Sequence, residues 1–187
     1  MNVGGIGCGY VGLVAASCLA ELGHTVAATD SDNARLALLR QRLSPIYEEH
    51  LPQLLQRHTG RRLQFYDSIE DTIRHARVAF ICVGTPTAQN GEVDLSCVDV
   101  AVDQIARSAC SHLLIVVKST VPVRTGETIR RTMLARGIRP DSFTVASNPE
   151  FLREGSPIHD FLYPDLTTPA QEEIEDNPGN ASLNAAS

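Results

Sequence analysis

Three glycines near the amino terminus, Gly7, Gly9 and Gly12, have the spacing of a turn that binds phosphate groups. An apolar run before them, Val3–Ile6, predicts a β-strand, and the helical periodicity of Tyr10–Leu22 predicts a helix after them. In such a turn the first glycine permits a tight bend, the second lets the backbone approach a pyrophosphate, and the third lets the helix pack on the sheet. The helix N-terminus then offers N–H groups and a partial positive charge to the phosphates.

An acidic residue follows the glycine turn at the distance that a dinucleotide site requires. Asp30 lies eighteen residues after Gly12, at the end of a second apolar run, Val26–Thr29. Its carboxylate can accept hydrogen bonds from an adenosine ribose and would repel a 2′-phosphate, which favours NAD over NADP. Glycine turn, helix, strand and acid together predict a dinucleotide site, whereas the glycines alone would also suit a βα turn that only packs.

Three further loops, Cys82–Thr87, Lys118–Pro122 and Ser147–Gly155, hold small polar side chains next to a proline. Each follows an apolar run, and ligands of a doubly wound sheet bind beyond the carboxyl ends of its strands. Thr85 and Thr120 are therefore candidates for hydrogen bonds to the ribose or to the nicotinamide side of the coenzyme. The alternative is that these hydroxyls only satisfy turns, and that the acids of the third loop are a solvated pair.

The elements that would position these residues alternate between strand and helix. Apolar runs predict six strands: Val3–Ile6, Val26–Thr29, Leu63–Tyr66, Val78–Val83, Leu113–Val117 and Phe143–Ala146. Periodic segments predict six helices: Tyr10–Leu22, Asn33–Arg42, Leu51–Arg57, Ile69–His75, a helix over Leu95–Ile105 capped by Asp94, and Thr125–Ala135, which Gly137 closes. This alternation predicts an α/β fold, a doubly wound parallel sheet of the Rossmann-like NAD(P)-binding type.

Composition sets the class of protein. The 187 residues fit one domain, are 43% hydrophobic and 20% charged, and contain no apolar run near the ~20 residues of a membrane span. With no secretion signal, we expect a cytoplasmic protein that does not bind membranes. The net charge of −6 comes from residues 154–187, which hold seven acids and no lysine or arginine. No basic stripe suggests nucleic-acid binding.

Neither the cysteines nor the histidines have the spacing of a metal site. The five cysteines form no CxxC pair and the six histidines no HxxxH or HExxH pair, so we expect no metal. Cys18 and Cys82 lie in apolar runs and are predicted to be small buried hydrophobic residues. For Cys8, inside the glycine turn, packing and a redox role both stay open.

The end of the chain differs in composition from the rest. Residues 1–164 form the predicted NAD-binding domain, and the polar segment 165–187 is predicted to be disordered because it has too few apolar residues to fold alone. The alternative for this segment is a short, marginal helix around Ala170–Glu175.

Five stretches in this order and spacing resemble the UDP-glucose/GDP-mannose dehydrogenase family, and in particular its UDP-glucose 6-dehydrogenases. They are Gly7–Leu13, Ser44–Glu48, Phe80–Pro86, Val117–Pro122 and Asn148–Gly155. The resemblance implies an oxidoreductase with NAD as cofactor and a nucleotide sugar, most simply UDP-glucose, as substrate. Members oxidise the C6 alcohol of the sugar to a carboxylate in two steps, through a cysteine thiohemiacetal and thioester, and they form homo-oligomers.

The resemblance also implies roles for individual residues. NAD contacts carried over from the family fall on Gly7, Gly9, Tyr10, Val11, Gly12, Asp30, Arg35, Thr85, Thr120 and Glu154. One wall of the sugar-nucleotide pocket falls on Glu150, Phe151, Leu152, Arg153 and Glu154. Thr120 and Glu154 resemble the pair that positions water for thioester hydrolysis.

The chain departs from the family in two places. The resemblance ends near Asp165, before the family's central dimerisation helices, its catalytic cysteine and its second nucleotide-sugar domain. We therefore expect a truncated chain that binds NAD weakly or not at all and does not complete the oxidation. A stand-alone dinucleotide-binding or regulatory module, half of a split enzyme, and a non-functional fragment are the alternatives. The second departure is Glu48–His50, where the family usually has Glu-Pro-Gly.

Overall fold

The computed structural model describes residues 1–88, 91–108, 112–122, 124–148, 155–163 and 171–172. Its strands are β1 (Asn2–Ile6), β2 (Thr25–Thr29), β3 (Leu63–Tyr66), β4 (Val78–Ile81), β5 (Leu113–Val117), β6 (Phe143–Ser147) and β7 (Gln171–Glu172). Its helices are α1 (Tyr10–Glu21), α2 (Asn33–Arg40), α3 (Leu51–His58), α4 (Ile69–Ile73), α5 (Ser96–Ser108), α6 (Thr125–Ala135) and α7 (Pro157–Leu162).

The strands form one sheet in the order β3-β2-β1-β4-β5-β6-β7. All neighbours from β3 to β6 pair in parallel, and Val3 of β1 pairs with Val26 of β2 on one side and with Val78 of β4 on the other. Strand order reverses between β1 and β4, so the crevice for a ligand opens at the carboxyl ends of these two strands. The predicted doubly wound α/β fold is confirmed.

Two hydrophobic cores lie on opposite faces of the sheet. One joins α1, α2, α3 and α7 to the sheet, around Leu13, Leu36 and Leu55. The other joins α4, α5 and α6, around Ile105 and Met133. Because both faces are covered, the strands read as continuous apolar runs, and this explains why they could be found in the sequence.

The twelve predicted elements are all present, with ends that differ by up to two or three residues. The second predicted helix ends at Arg40 instead of Arg42, because Arg42 takes a left-handed conformation with φ of 65°. The N–H group of Leu43 then donates to the Leu38 carbonyl at 3.0 Å, which closes the helix. Within the described residues, no helix has the length and apolar content needed to cross a membrane.

The segment predicted to be disordered is described only in part. Gln171–Glu172 pairs antiparallel with Ala146 and Ser147 of β6, so these two residues form a strand that the sequence did not predict. The other residues between 165 and 187 lie outside the described part of the chain, as do four of the six in the alternative helix Ala170–Glu175. Disorder of this segment stays a prediction.

The departure at Glu48–His50 leaves the turn intact. His50 takes a left-handed conformation with φ of 66° at the start of α3. Glycine adopts this conformation without a steric penalty, which explains why the family usually places glycine at this position. Histidine tolerates it better than most side chains do, so the turn forms here at a modest cost.

Substitution by alanine should affect the free energy of unfolding differently at two adjacent glycines of β1. A Cβ atom on Gly4 would lie 3.2 Å from the Thr72 carbonyl oxygen and 3.3 Å from Ile73 Cγ2, because α4 packs directly on the strand. Gly4→Ala should lower the free energy of unfolding by about 1–3 kcal/mol, as overpacking does. Urea denaturation of the purified chain measures this change.

The matched control is Gly5→Ala in the same strand. There the new Cβ atom would make only ordinary contacts, 3.7 Å from Ala28 Cβ. We expect its stability to stay within about 0.5 kcal/mol of the parent or to rise slightly, because alanine costs less backbone entropy than glycine. Equal destabilisation by both variants would contradict the close approach of α4.

Candidate functional site

The glycine turn follows β1 and is held between α1 and the end of β4. Gly7 has a φ of 96°, and a Cβ atom there would lie 2.5 Å from the Cys82 carbonyl oxygen. A Cβ atom on Gly12 would collide with the Gly7 carbonyl oxygen. Both positions therefore require glycine, one for its conformation and one for the close packing of α1. A Cβ atom on Gly9, by contrast, would meet no described atom within 4 Å.

The N-terminus of α1 faces the crevice that this turn borders. Its N-cap is Gly9, and within the described part of the chain no side chain caps it. The first hydrogen bond of the helical ladder runs from Leu13 N–H to the Gly9 carbonyl, so the N–H groups of Val11 and Gly12 precede the ladder. Tyr10 and Val11, both predicted NAD contacts, begin the helix and are half-buried. Open space beside Gly9 and an uncapped, uncharged helix end suit a pyrophosphate.

Asp30 connects the glycine turn to the end of β2. Its carboxylate side chain is only 6% exposed, and Oδ2 accepts a 2.6 Å hydrogen bond from the N–H group of Cys8. Oδ1 accepts a second one, 2.8 Å long, from the N–H group of Asp32. The acid predicted to bind ribose thus stands at the edge of the crevice and is already oriented by main-chain donors.

Arg35 lies against this carboxylate. Its Nη1 atom donates to Asp30 Oδ2 at 2.9 Å, and its Nη2 atom lies 3.8 Å from Asp32 Oδ2. The first turn of α2 therefore holds the guanidinium beside Asp30, where the family resemblance placed it. Asp32 was not predicted to have a role from the sequence. Its position directly before a predicted helix could have identified it, because aspartate is a common N-cap.

The loops after β4, β5 and β6 are joined by side-chain hydrogen bonds. Thr85 donates through Oγ1 to the Thr120 carbonyl at 3.0 Å, which brings together two residues predicted to contact NAD. Ser119 donates through Oγ to the Val83 carbonyl at 2.6 Å. The buried Lys118 donates through Nζ to Asn148 Oδ1 at 3.0 Å, and so connects the ends of β5 and β6.

The predicted substrate wall, Glu150–Glu154, lies outside the described residues, and the roles given to these side chains stay predictions. The described residues on either side of the loop are tied to the fold. Asn148 is bonded by Lys118, and the Gly155 N–H group lies 3.5 Å from Oε1 of the buried Glu48. Sequence reasoning gave Glu48 and Lys118 no role, although both lie in the stretches that carry the family resemblance.

Two of the cysteines are poor nucleophiles in this fold. Cys8 is fully buried, and burial together with the neighbouring Asp30 carboxylate raises the pKa of its thiol. Burial also raises the pKa of Cys18 to about 12. Cys82 is half-buried, so the expectation that it is a small buried hydrophobic residue was wrong, since it follows β4 and does not lie inside it. Among the described residues, no cluster of three or more acidic, histidine or cysteine side chains could hold a metal ion.

Comparison with known proteins decides which family these features belong to. Residues 1–174 match the model of the UDP-glucose/GDP-mannose dehydrogenase family, NAD binding domain. The chain belongs to this family. The match runs ten residues past the predicted domain end at 164, and that boundary stays a prediction. The cofactor of the matched domain is NAD, as the glycine turn and Asp30 predicted.

Relatives within the family are longer than this chain. The UDP-glucose 6-dehydrogenase of Rickettsia felis is 43% identical over 166 residues, which are 88% of this chain and 36% of the relative. UDP-glucose 6-dehydrogenase TuaD of Bacillus subtilis is 42% identical over 158 residues, 84% of this chain and 34% of the relative. The chain therefore spans little more than a third of the length of these relatives.

Solved structures give the same result. A UDP-glucose dehydrogenase from Pyrobaculum islandicum superposes with a TM-score of 0.82 at 40% identity, covering 88% of this chain and 39% of that protein. GDP-mannose dehydrogenase from Pseudomonas aeruginosa superposes with a TM-score of 0.80 at 35% identity, covering 87% of this chain and 38% of that protein. The fold and the family thus agree.

The burial of the cysteines predicts a selective pattern of alkylation. With N-ethylmaleimide near pH 8, Cys8 and Cys18 should react at least about 100-fold more slowly than the exposed Cys97. Their raised pKa values leave almost no thiolate, and burial blocks access. Peptide mapping by mass spectrometry measures the rates, and urea should remove the protection. Rapid labelling of Cys8 in the folded chain would show that this thiol is accessible.

Proposed function

We propose that this chain supplies the coenzyme-binding part of a nucleotide-sugar 6-dehydrogenase, with UDP-glucose as the sugar nucleotide. The observation that carries the proposal is the junction of Gly7–Gly12 with Asp30 at the point where strand order reverses. Family membership and the open space beside Gly9 support it. The relatives are named for UDP-glucose, and the run Lys118–Pro122 favours the same substrate.

Each part of the site would act on a different part of NAD. The N-terminus of α1 and the backbone near Gly9 would hold the pyrophosphate, and Asp30, assisted by Arg35, would hold the adenosine ribose. Thr85 and Thr120 would face the nicotinamide side, where the hydrogen bond from Thr85 Oγ1 to the Thr120 carbonyl holds the two loops together. When bound, NAD supplies the acceptor for the hydride that leaves the sugar C6 carbon.

The substrate side of the proposal depends on the loop between β6 and α7. Glu150, Phe151, Leu152, Arg153 and Glu154 would form one wall of the sugar-nucleotide pocket. Thr120 and Glu154 would position the water that cleaves the thioester, and a carboxylate suits this task because it can relay a proton. Asn148 and Gly155, each contacted by a buried charged residue, would hold the two ends of this wall in place.

The complete oxidation would require groups beyond these 187 residues. The reaction of the family uses a cysteine in a glycine- and phenylalanine-rich motif, and no such motif occurs in this sequence. We propose that these 187 residues by themselves bind NAD weakly and do not turn over the sugar nucleotide, and that they belong to a cytoplasmic protein connected to polysaccharide biosynthesis. Assembly into a homo-oligomer and pairing with a separately encoded half are further proposals.

Gly9 offers a direct test of coenzyme binding. Gly9 has a φ of −67°, which alanine tolerates, and its Cβ direction is open, so Gly9→Ala should fold with an unchanged melting temperature. The methyl group would enter the proposed pyrophosphate position and lower NAD affinity about 10- to 100-fold, a cost of ~1–3 kcal/mol. Titration of NAD into the ¹⁵N-labelled chain, followed by NMR chemical shifts, measures dissociation constants even in the millimolar range.

The control for this titration is Gly5→Ala, which adds a methyl group to β1 away from the turn and should bind NAD like the parent. Shift changes should map to the turn, to Asp30 and to the loops after β4 and β5. Equal NAD affinity in Gly9→Ala and in the parent chain would remove the turn from the binding site.

A turnover assay tests the second half of the proposal. The purified chain with NAD and UDP-glucose should form no NADH above background, whereas the Bacillus subtilis relative serves as a positive control. The reason is that the cysteine of the family's glycine- and phenylalanine-rich motif does not occur in these 187 residues. Covalent catalysis needs such a thiolate placed against the aldehyde. Sustained NADH formation over many turnovers would show that the chain is an active dehydrogenase by itself.

A further inference from the structure

Two carboxylates share one guanidinium at the start of α2. Arg35 is 2.9 Å from Asp30 Oδ2 through Nη1 and 3.8 Å from Asp32 Oδ2 through Nη2. The arginine side chain is 33% exposed and the Asp32 side chain 48%, whereas that of Asp30 is 6% exposed. The three side chains together carry one net negative charge, and Asp32 is the more exposed of the two carboxylates.

Asp32 also fills the N-terminus of α2. Its Oδ1 atom accepts hydrogen bonds from the N–H groups of Ala34, at 2.9 Å, and Arg35, at 3.1 Å. Main-chain N–H groups at a helix N-terminus and a nearby arginine are the two features that bind a phosphate group at this position in a dinucleotide fold. In this chain a single aspartate occupies the first and lies beside the second.

We infer that Asp32 is a second selectivity residue for the coenzyme, which works with Asp30 to exclude a ribose 2′-phosphate. This inference rests on the proposed function, because it concerns the adenosine end of the same NAD site. Asp30 repels the phosphate from the ribose itself. Asp32 removes the alternative position, since its carboxylate takes the place at the helix end that the phosphate would otherwise use.

The charges determine the direction of the effect. A phosphate monoester carries a charge of roughly −1.5 to −2 near neutral pH, and it would approach a group of side chains that is already negative. With Asp32 neutralised, Asp30 and Arg35 would balance each other, and the N-terminal N–H groups of α2 would attract an anion more strongly. Arg35 alone therefore does not make the site accept NADP while both carboxylates are present.

A role in selectivity can be separated from a role in capping. Asparagine is as good an N-cap as aspartate, so Asp32→Asn keeps the helix end while it removes the charge. Asp32→Ser also keeps a cap and leaves more room for a phosphate. If Asp32 only stabilised α2, both variants would retain the coenzyme preference of the parent chain.

The experiment compares NAD and NADP, which differ only in the 2′-phosphate, by NMR titration of the ¹⁵N-labelled full chain. The readout is the ratio of the NADP dissociation constant to the NAD dissociation constant. We expect this ratio to fall about five- to tenfold in Asp32→Asn, and at least as far in Asp32→Ser. Melting temperatures near that of the parent would show that α2 is intact.

The matched control is Asp71→Asn. Asp71 also lies in the first turn of a helix, accepts a hydrogen bond from the N-cap Ser68, and pairs with Arg74 at 2.9 Å, but it belongs to α4 on the other face of the sheet. The ratio of the NADP to the NAD dissociation constant in Asp71→Asn should equal that of the parent chain.

Each outcome has a distinct meaning. A parent chain that binds neither coenzyme refutes the proposed function and this inference with it. A parent chain that binds NAD, together with Asp32 variants whose ratio is unchanged or moves no more than in Asp71→Asn, refutes this inference alone. A lower ratio in both Asp32 variants, with the control unchanged, establishes Asp32 as a determinant of coenzyme choice.

Discussion

The hydrogen bond between the Cys8 N–H group and the Asp30 carboxylate is the interaction on which the site depends. It is 2.6 Å long and joins residues 22 positions apart, at the ends of two neighbouring strands. A carboxylate that is 6% exposed would be costly without partners, but Asp30 has two main-chain donors and the Arg35 guanidinium. The same group therefore stabilises the turn and presents charge to the crevice.

The other side of the crevice is stabilised by a different kind of interaction. The ends of β4, β5 and β6 carry no buried acid in the described residues and are joined by Ser119, Thr85 and Lys118, whose side chains bond to groups of the adjacent loops. Such bonds satisfy carbonyl groups where the ladder of the sheet stops. The side of the crevice at the end of β2 is thus fixed by charge, and the side at the ends of β4, β5 and β6 by two hydroxyl groups and one lysine. Both arrangements hold polar groups in place at the edge of an apolar sheet.

Much of this could be predicted from the sequence, because the information was local. Buried parallel strands are continuous apolar runs, and the glycine turn and Asp30 have a spacing that follows directly from the βαβ unit. The helix α7 was missed because Pro157–Leu162 is short and is stabilised by packing against α1, more than a hundred residues earlier in the chain. Glu48 was missed for the same reason, since its contact at Gly155 is equally distant in sequence. Local patterns do not contain such contacts.

The position of β1 between β2 and β4 also bears on how the crevice is assembled. During synthesis β2 can join β1 after about twenty more residues have emerged, but Gly7 acquires its neighbour Cys82 only when some seventy-five have done so. In non-local pairing of this kind, the chain loses conformational entropy on loop closure before any stabilising contact forms. A nascent chain that has reached Tyr66 contains β3-β2-β1 and one wall of the crevice, and the second wall arrives with the other half of the sheet.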